Sequence, residues 1–138
     1  MIKIRIGGKI FGFRIVRRRV KRSGSLKGTK KDYAEYKERA LNLARERLEY
    51  FNAFYGFKIG KVSVKNQKSR WGSCSKKGNL NFNYKIAKLP AKVADYIIIH
   101  ELCHLGEFNH SRAFWSLVAS TMPDYLEIRR SLRKSCIV

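Results

Sequence analysis

All three histidines of the chain lie within eleven positions, in the string His100-Glu101-Leu102-Cys103-His104-Leu105-Gly106-Glu107-Phe108-Asn109-His110. On an α-helix, residues four apart are separated by about 40° around the axis, so His100 and His104 project from one face. Two imidazoles presented in this way can share one Zn²⁺ at roughly 2.0–2.1 Å each. Glu101 sits about a quarter turn round, poorly placed as a third ligand but able to reach a water on the metal. A third protein ligand and that water would complete the open tetrahedron of a catalytic zinc site. The spacing points to a metal-dependent hydrolase.

His110 is the first choice for the third ligand. The same ten-residue offset occurs in the pattern HExxHxxGxxH. Here the glycine is one position early and no Met-turn follows; Met122, beside Pro123, reads as a core or helix-end residue. Glu107 is the alternative ligand. Three ionisable groups on an otherwise apolar helix cost several kcal/mol to desolvate unless they find partners, and a metal would satisfy them all. Cys103 projects about 60° from His100 and reads as a small buried hydrophobe. Asp95 and Tyr96 precede the motif by a turn, without a clear task.

These side chains need a frame. Pro90 suits the first position of a helix running to about residue 105, with Val93, Ile97, Ile98, Ile99, Leu102 and Leu105 all round it, so the helix should be deeply buried. Gly106 is expected to end it and let the chain turn His110 back toward the metal. Earlier, Leu41, Ala44, Leu48, Phe51 and Tyr55 form one stripe of a helix over residues 31–55, stopped by Gly56. Lys61–Lys65 and Leu80–Ile86 alternate like strands and are expected to pair antiparallel across the basic, turn-rich stretch 67–78. Helices fit residues 110–121 and 124–135. At the start, residues 2–6 and 9–21 read as a basic β-hairpin turning at Gly7-Gly8, with a bulge at Gly12 and a connector over 23–29. The fold class is α+β: helices on a small, mainly antiparallel sheet. One domain is expected over residues 1–138, with a basic hairpin and connector (1–30) ahead of a catalytic core (31–138).

Charge is the second signal. The chain carries 31 Lys and Arg against 10 Asp and Glu, and residues 1–31 contain no acid at all. Such an excess attracts polyanions, so a nucleic acid or nucleotide is a candidate partner beside a peptide substrate. No signal peptide or membrane span is legible, and three scattered cysteines without CxxC do not suggest a disulfide framework. A cytoplasmic setting is expected; the oligomeric state is not legible.

A wider set of residues carries a resemblance. Lys65-Asn66-Gln67-Lys68-Ser69-Arg70-Trp71-Gly72-Ser73-Cys74, Gly78-Asn79-Leu80, Leu89-Pro90, residues 98–105, Asn109-His110-Ser111 and Phe114-Trp115 together resemble the YgjP-like metallopeptidase family. That family is a small gluzincin-type zincin, which shares HExxH and a later histidine with SprT-like and WLM proteases. The resemblance implies a zincin-like fold, His100, His104 and His110 as zinc ligands, and Glu101 as the catalytic carboxylate. It also makes Arg70 a candidate oxyanion donor or substrate anchor; Trp71, beside it, is a weaker candidate, better suited to packing the loop. Two further readings stand beside a zinc peptidase. A metal-dependent nucleotide hydrolase would suit the charge, but no carboxylate cluster for Mg²⁺ and no phosphate-cradling loop accompany it. A nucleic-acid-binding module with structural zinc would need a fourth protein ligand, and none is evident. A protease held on DNA by its basic strands would combine two of these.

Overall fold

The computed structural model describes residues 28–137. The expected hairpin over residues 2–21 and most of the connector lie outside them. Helix α1 spans Lys30–Tyr55. Thr29 caps it, its hydroxyl accepting from Asp32 N–H at 3.0 Å, and Gly56 closes it at φ 74°, a left-handed conformation that glycine adopts without strain. Its buried stripe is Ala40, Ala44, Leu48 and Phe51. Ala40 therefore replaces the expected Leu41, and the two alanines let α1 approach its neighbours closely.

Three short strands follow: β1 (Val62–Lys65), β2 (Gly72–Cys74) and β3 (Leu80–Asn83), in the order β1-β3-β2. The expected antiparallel pairing of the first and last is corrected. β1 and β3 are parallel, Val62 facing Leu80, because the basic stretch between them supplies a strand of its own. β2 takes the antiparallel place beside β3, Gly72 facing Phe82 and Cys74 facing Leu80. The hairpin turn is closed by Ser75 N–H on Asn79 O (2.9 Å), and Gly78 accommodates it at φ 89°. The sheet is thus mixed, one parallel and one antiparallel pair, with β3 in the centre and β1 and β2 at the edges.

A 3₁₀ segment, Tyr84–Lys88, leads into α2 (Ala91–Cys103), then α3 (Arg112–Thr121) and α4 (Tyr125–Ile137). Pro90 precedes α2, its carbonyl accepting from Val93 and Ala94. Helix α2 packs against the other three helices, β2, β3 and the 3₁₀ segment. Ten of its thirteen residues are buried, as its all-round apolar sequence requires. Arg47 of α1 clamps Asp95 of α2 with two bonds, at 2.9 and 3.1 Å, which gives Asp95 its task. No helix among the described residues is long and apolar enough to cross a membrane.

Candidate metal centre

Helix α2 ends at Cys103, and His104 begins a tight turn through Gly106. Gly106 is needed there for space rather than for φ. A Cβ on it would sit 2.6 Å from the Phe57 ring and 3.1 Å from Leu117, so only glycine lets the turn lie this close. The chain then runs to Ser111, whose hydroxyl caps α3 by accepting from Phe114 N–H at 3.3 Å. That cap fixes the residue before it, His110, against the exposed end of the motif.

The result is convergence. His110 Nε2 lies 3.1 Å from His104 Nε2 and 3.2 Å from His100 Nε2. Four-coordinate zinc with nitrogens at 2.0–2.1 Å sets neighbouring ligands about 3.3 Å apart, close to these spacings. The backbone carbonyl of Glu107 stands 3.1 Å from His104 Nδ1. A carbonyl can only accept, so Nδ1 carries the hydrogen and a neutral His104 turns the lone pair of Nε2 toward its two neighbours. Tyr96 Oη faces His100 Nδ1 at 3.5 Å, a loose contact. Burial holds His100 far below the usual imidazole range, and brings His104 down to about 4 against the opposing effect of its backbone bonds. Both are neutral at physiological pH, as metal ligands must be. The three side chains can hold a metal ion.

Aromatic rings brace the cluster. Phe114 touches all three imidazoles, with ring centroids 4.4 Å from His104 and 5.1 Å from His100 and His110. Trp115 stacks on His110 (5.9 Å) and on Tyr125 (5.2 Å). The Arg129 guanidinium lies over Trp115 at 5.4 Å. Phe114 and Trp115 entered the sequence reading only through the family resemblance, and their bracing roles were not legible there.

Glu101 is 1 % exposed, and both carboxylate oxygens are buried without a hydrogen-bond partner among the described residues. Burial pushes its carboxyl up to about 8, with the charge of Arg70 pulling the other way. An orphaned buried carboxyl of this kind fits a place beside a bound cation, which would favour its ionised form. A residue that sequence reasoning missed sets its position. A Cβ on Gly72 would lie 3.0 Å from Glu101 Cγ, and 3.1 Å from both Glu101 Oε2 and the Asn81 carbonyl. The edge strand thus leaves a notch that the carboxylate fills.

The other candidates are placed as follows. Arg70 is exposed at the mouth of the loop before β2, and its charge reaches Glu101. Trp71 is 5 % exposed and lies in the core, where it packs the loop. Asn83, fully buried, holds that loop by donating to Gln67 O and Arg70 O, both at 3.1 Å. Glu107 contributes its carbonyl rather than its carboxylate. Cys103 is fully buried beside the Tyr55 hydroxyl.

Fold and site together place the chain among the zincin-like metallopeptidases. The solved structures agree. The metallopeptidase zymogen abylysin of Pyrococcus abyssi superposes with a TM-score of 0.61 at 26% identity, covering 67% of this chain and 93% of that one. The zymogen jannalysin of Methanocaldococcus jannaschii gives 0.56 at 22% identity, covering 70% and 95%, and supports the fold. The chain belongs to the YgjP-like family: the model of the YgjP-like metallopeptidase domain matches residues 9–135. No curated relative matches the chain.

Proposed function

We propose that this metallopeptidase is a zinc enzyme in which His100, His104 and His110 hold the ion and Glu101 is the general base. The observation that carries the reading is the convergence of three imidazole Nε2 atoms, with a buried carboxylate on the residue after His100 that has no hydrogen-bond partner among the described residues. Bound zinc would supply Lewis acidity and bring the pKa of a water molecule to about 7. The carboxylate of Glu101 takes the proton of the attacking water and returns it to the leaving amine. Gly72 keeps that carboxylate in its notch. Arg70, exposed at the rim with its charge felt at Glu101, holds the substrate carbonyl or a substrate carboxylate.

Peptide is the substrate class that the family membership favours. The test is a pair of variants. Glu101→Gln is expected to retain about one zinc per chain, by metal analysis, while peptide hydrolysis falls by at least ~10²-fold. His110→Ala is expected to lose most of the zinc. Undiminished turnover in the first variant, or full zinc in the second, would overturn the corresponding assignment.

A further inference from the structure

Every acidic residue of the chain lies between Asp32 and Glu127, and none lies between Tyr50 and Ala94. That acid-free run contains ten cations and folds into the sheet, its loops and the start of α2. Four of the cations meet at one end of the sheet. Gly60 N–H donates to Gly78 O at 2.8 Å, and Lys61 N–H to Asn79 Oδ1 at 2.8 Å. These bonds bind the segment Lys58–Lys61 to the hairpin turn that carries Lys76 and Lys77. All four lysines are exposed. The same corner adjoins the end of the active helix, because Gly78 packs beside Leu105.

No ion pair among the described residues involves Lys58, Lys61, Lys76 or Lys77. Nor can residues 1–27 neutralise them with a side chain, since they contain no Asp or Glu. Three of the ten acids are committed to other cations: Asp32 to Lys88, Asp95 to Arg47 and Asp124 to Lys92. Glu101 is buried in the site, and Glu35, Glu38, Glu46 and Glu49 all stand on α1. Glu107 and Glu127, the remaining two, form no ion pair with these lysines among the described residues, so the corner stands as unneutralised positive charge.

We propose that the lysine corner Lys58, Lys61, Lys76 and Lys77 binds the phosphodiester backbone of a nucleic acid beside the metal centre, without reading sequence. Lysine suits this partner: it meets phosphate as a flexible point charge, and backbone contacts carry no sequence information. Spread over two segments, the four charges match a run of phosphates better than a single phosphoryl group. Each phosphate neutralised releases condensed counterions, so affinity should fall steeply with salt. The proposal does not depend on the identity of the metal or on the role of Glu101.

The experiment uses the full chain and fluorescence anisotropy with a labelled single strand and a labelled duplex across a salt series. Its key variant is K58Q/K61Q/K76Q/K77Q. A control, K37Q/R39Q/R45Q/R130Q, removes the same charge from α1 and α4. For whichever form binds, the slope of log affinity against log salt is expected to shrink by about 3 in the corner variant, at roughly 0.7–0.9 per phosphate contact. The control is expected to change it by less than about 1. The melting temperature should hold in the corner variant, because among the described residues its four side chains make no ion pair. Equal losses in the two variants would reduce the effect to net charge and overturn the proposal. So would an unchanged slope in the corner variant, absence of binding to either form, or equal competition by polyglutamate of matched charge.

Discussion

Gly72 shows how much a missing side chain can do. The ladder to β3 fixes its backbone, with Asn83 N–H donating to Trp71 O at 2.8 Å next to it. A methyl group there cannot retreat, so the mobile partner, the Glu101 carboxylate, has to move. Displacement of a reacting group by about 1 Å costs on the order of 10²-fold in rate. Gly72→Ala is therefore expected to lower kcat by about that factor while zinc content and KM stay close to the parent. Steady-state kinetics with metal analysis checks it, and an unaltered kcat would show that the notch does not position the base. Asparagines perform a comparable service for the backbone. Asn83 accepts from Lys85 N–H at 3.0 Å besides its two donor bonds. Asn52 both donates to Phe57 O and accepts from Phe57 N–H, each at 2.8 Å. Asn83→Ala would strand two loop carbonyls and is expected to cost about 1–3 kcal/mol, read from urea unfolding. It should also loosen the loop that carries Arg70.

Among the elements, α2 carries His100 and is capped by His104, but the others decide where it lies. The clamp from Arg47 pins it to α1, and Ser111 with Phe114 brings α3 across its end. A second tie joins α1 to the 3₁₀ segment. Tyr84 donates to Asp32 Oδ2 at 2.6 Å, and Lys88 to the same oxygen at 2.7 Å. The hydrogen bond from Lys88, then that from Tyr84, holds the Asp32 carboxyl below its usual value near 3.8. A depressed carboxyl stabilises the fold above its unfolded pKa, and the contribution fades as pH falls through the lower folded value. Lys88, raised above 10.5 chiefly by its bond to Asp32, stabilises below that pH and less as pH rises through its folded value. Asp32→Asn is thus expected to lower the melting temperature across the neutral range. The gap from the parent should close as pH falls through the lowered folded value of the carboxyl. A gap that stays constant down to pH 2 would show that the ionised carboxylate is not what matters.

For the whole molecule, metal and fold should be linked. Three imidazoles packed against one another around a shared focus gain from a cation that binds only the native state. Removing metal with a chelator is expected to lower the melting temperature, and added zinc to restore it. At 100-fold excess over Kd the linkage amounts to about 2.7 kcal/mol. His110→Ala should flatten that response, which scanning calorimetry with and without zinc would reveal. The net charge of +21 belongs to the same scale, because it is spread unevenly. Residues 1–31 and 50–94 hold 22 of the 31 cations and no acid.

Sequence and tertiary structure divided the information along physical lines. Periodicity and spacing alone placed His100 and Glu101 on one buried helix and His104 a turn further on, where it caps that helix, because side-chain direction follows from 3.6 residues per turn. Caps and breakers likewise marked α1 and the start of α2. The sheet was less legible: Gly72–Cys74 is too short and too rich in small residues to show strand alternation, so β1 and β3 read as neighbours in a hairpin. Only tertiary packing decided that they run parallel, that Ala40 rather than Leu41 faces the core, and that Gly106 serves close packing. It alone brought His110 to within 3.2 Å of both other imidazoles and set Gly72 against Glu101. Those contacts join residues from different elements, and no local pattern encodes the distance between two surfaces that meet only when the core closes.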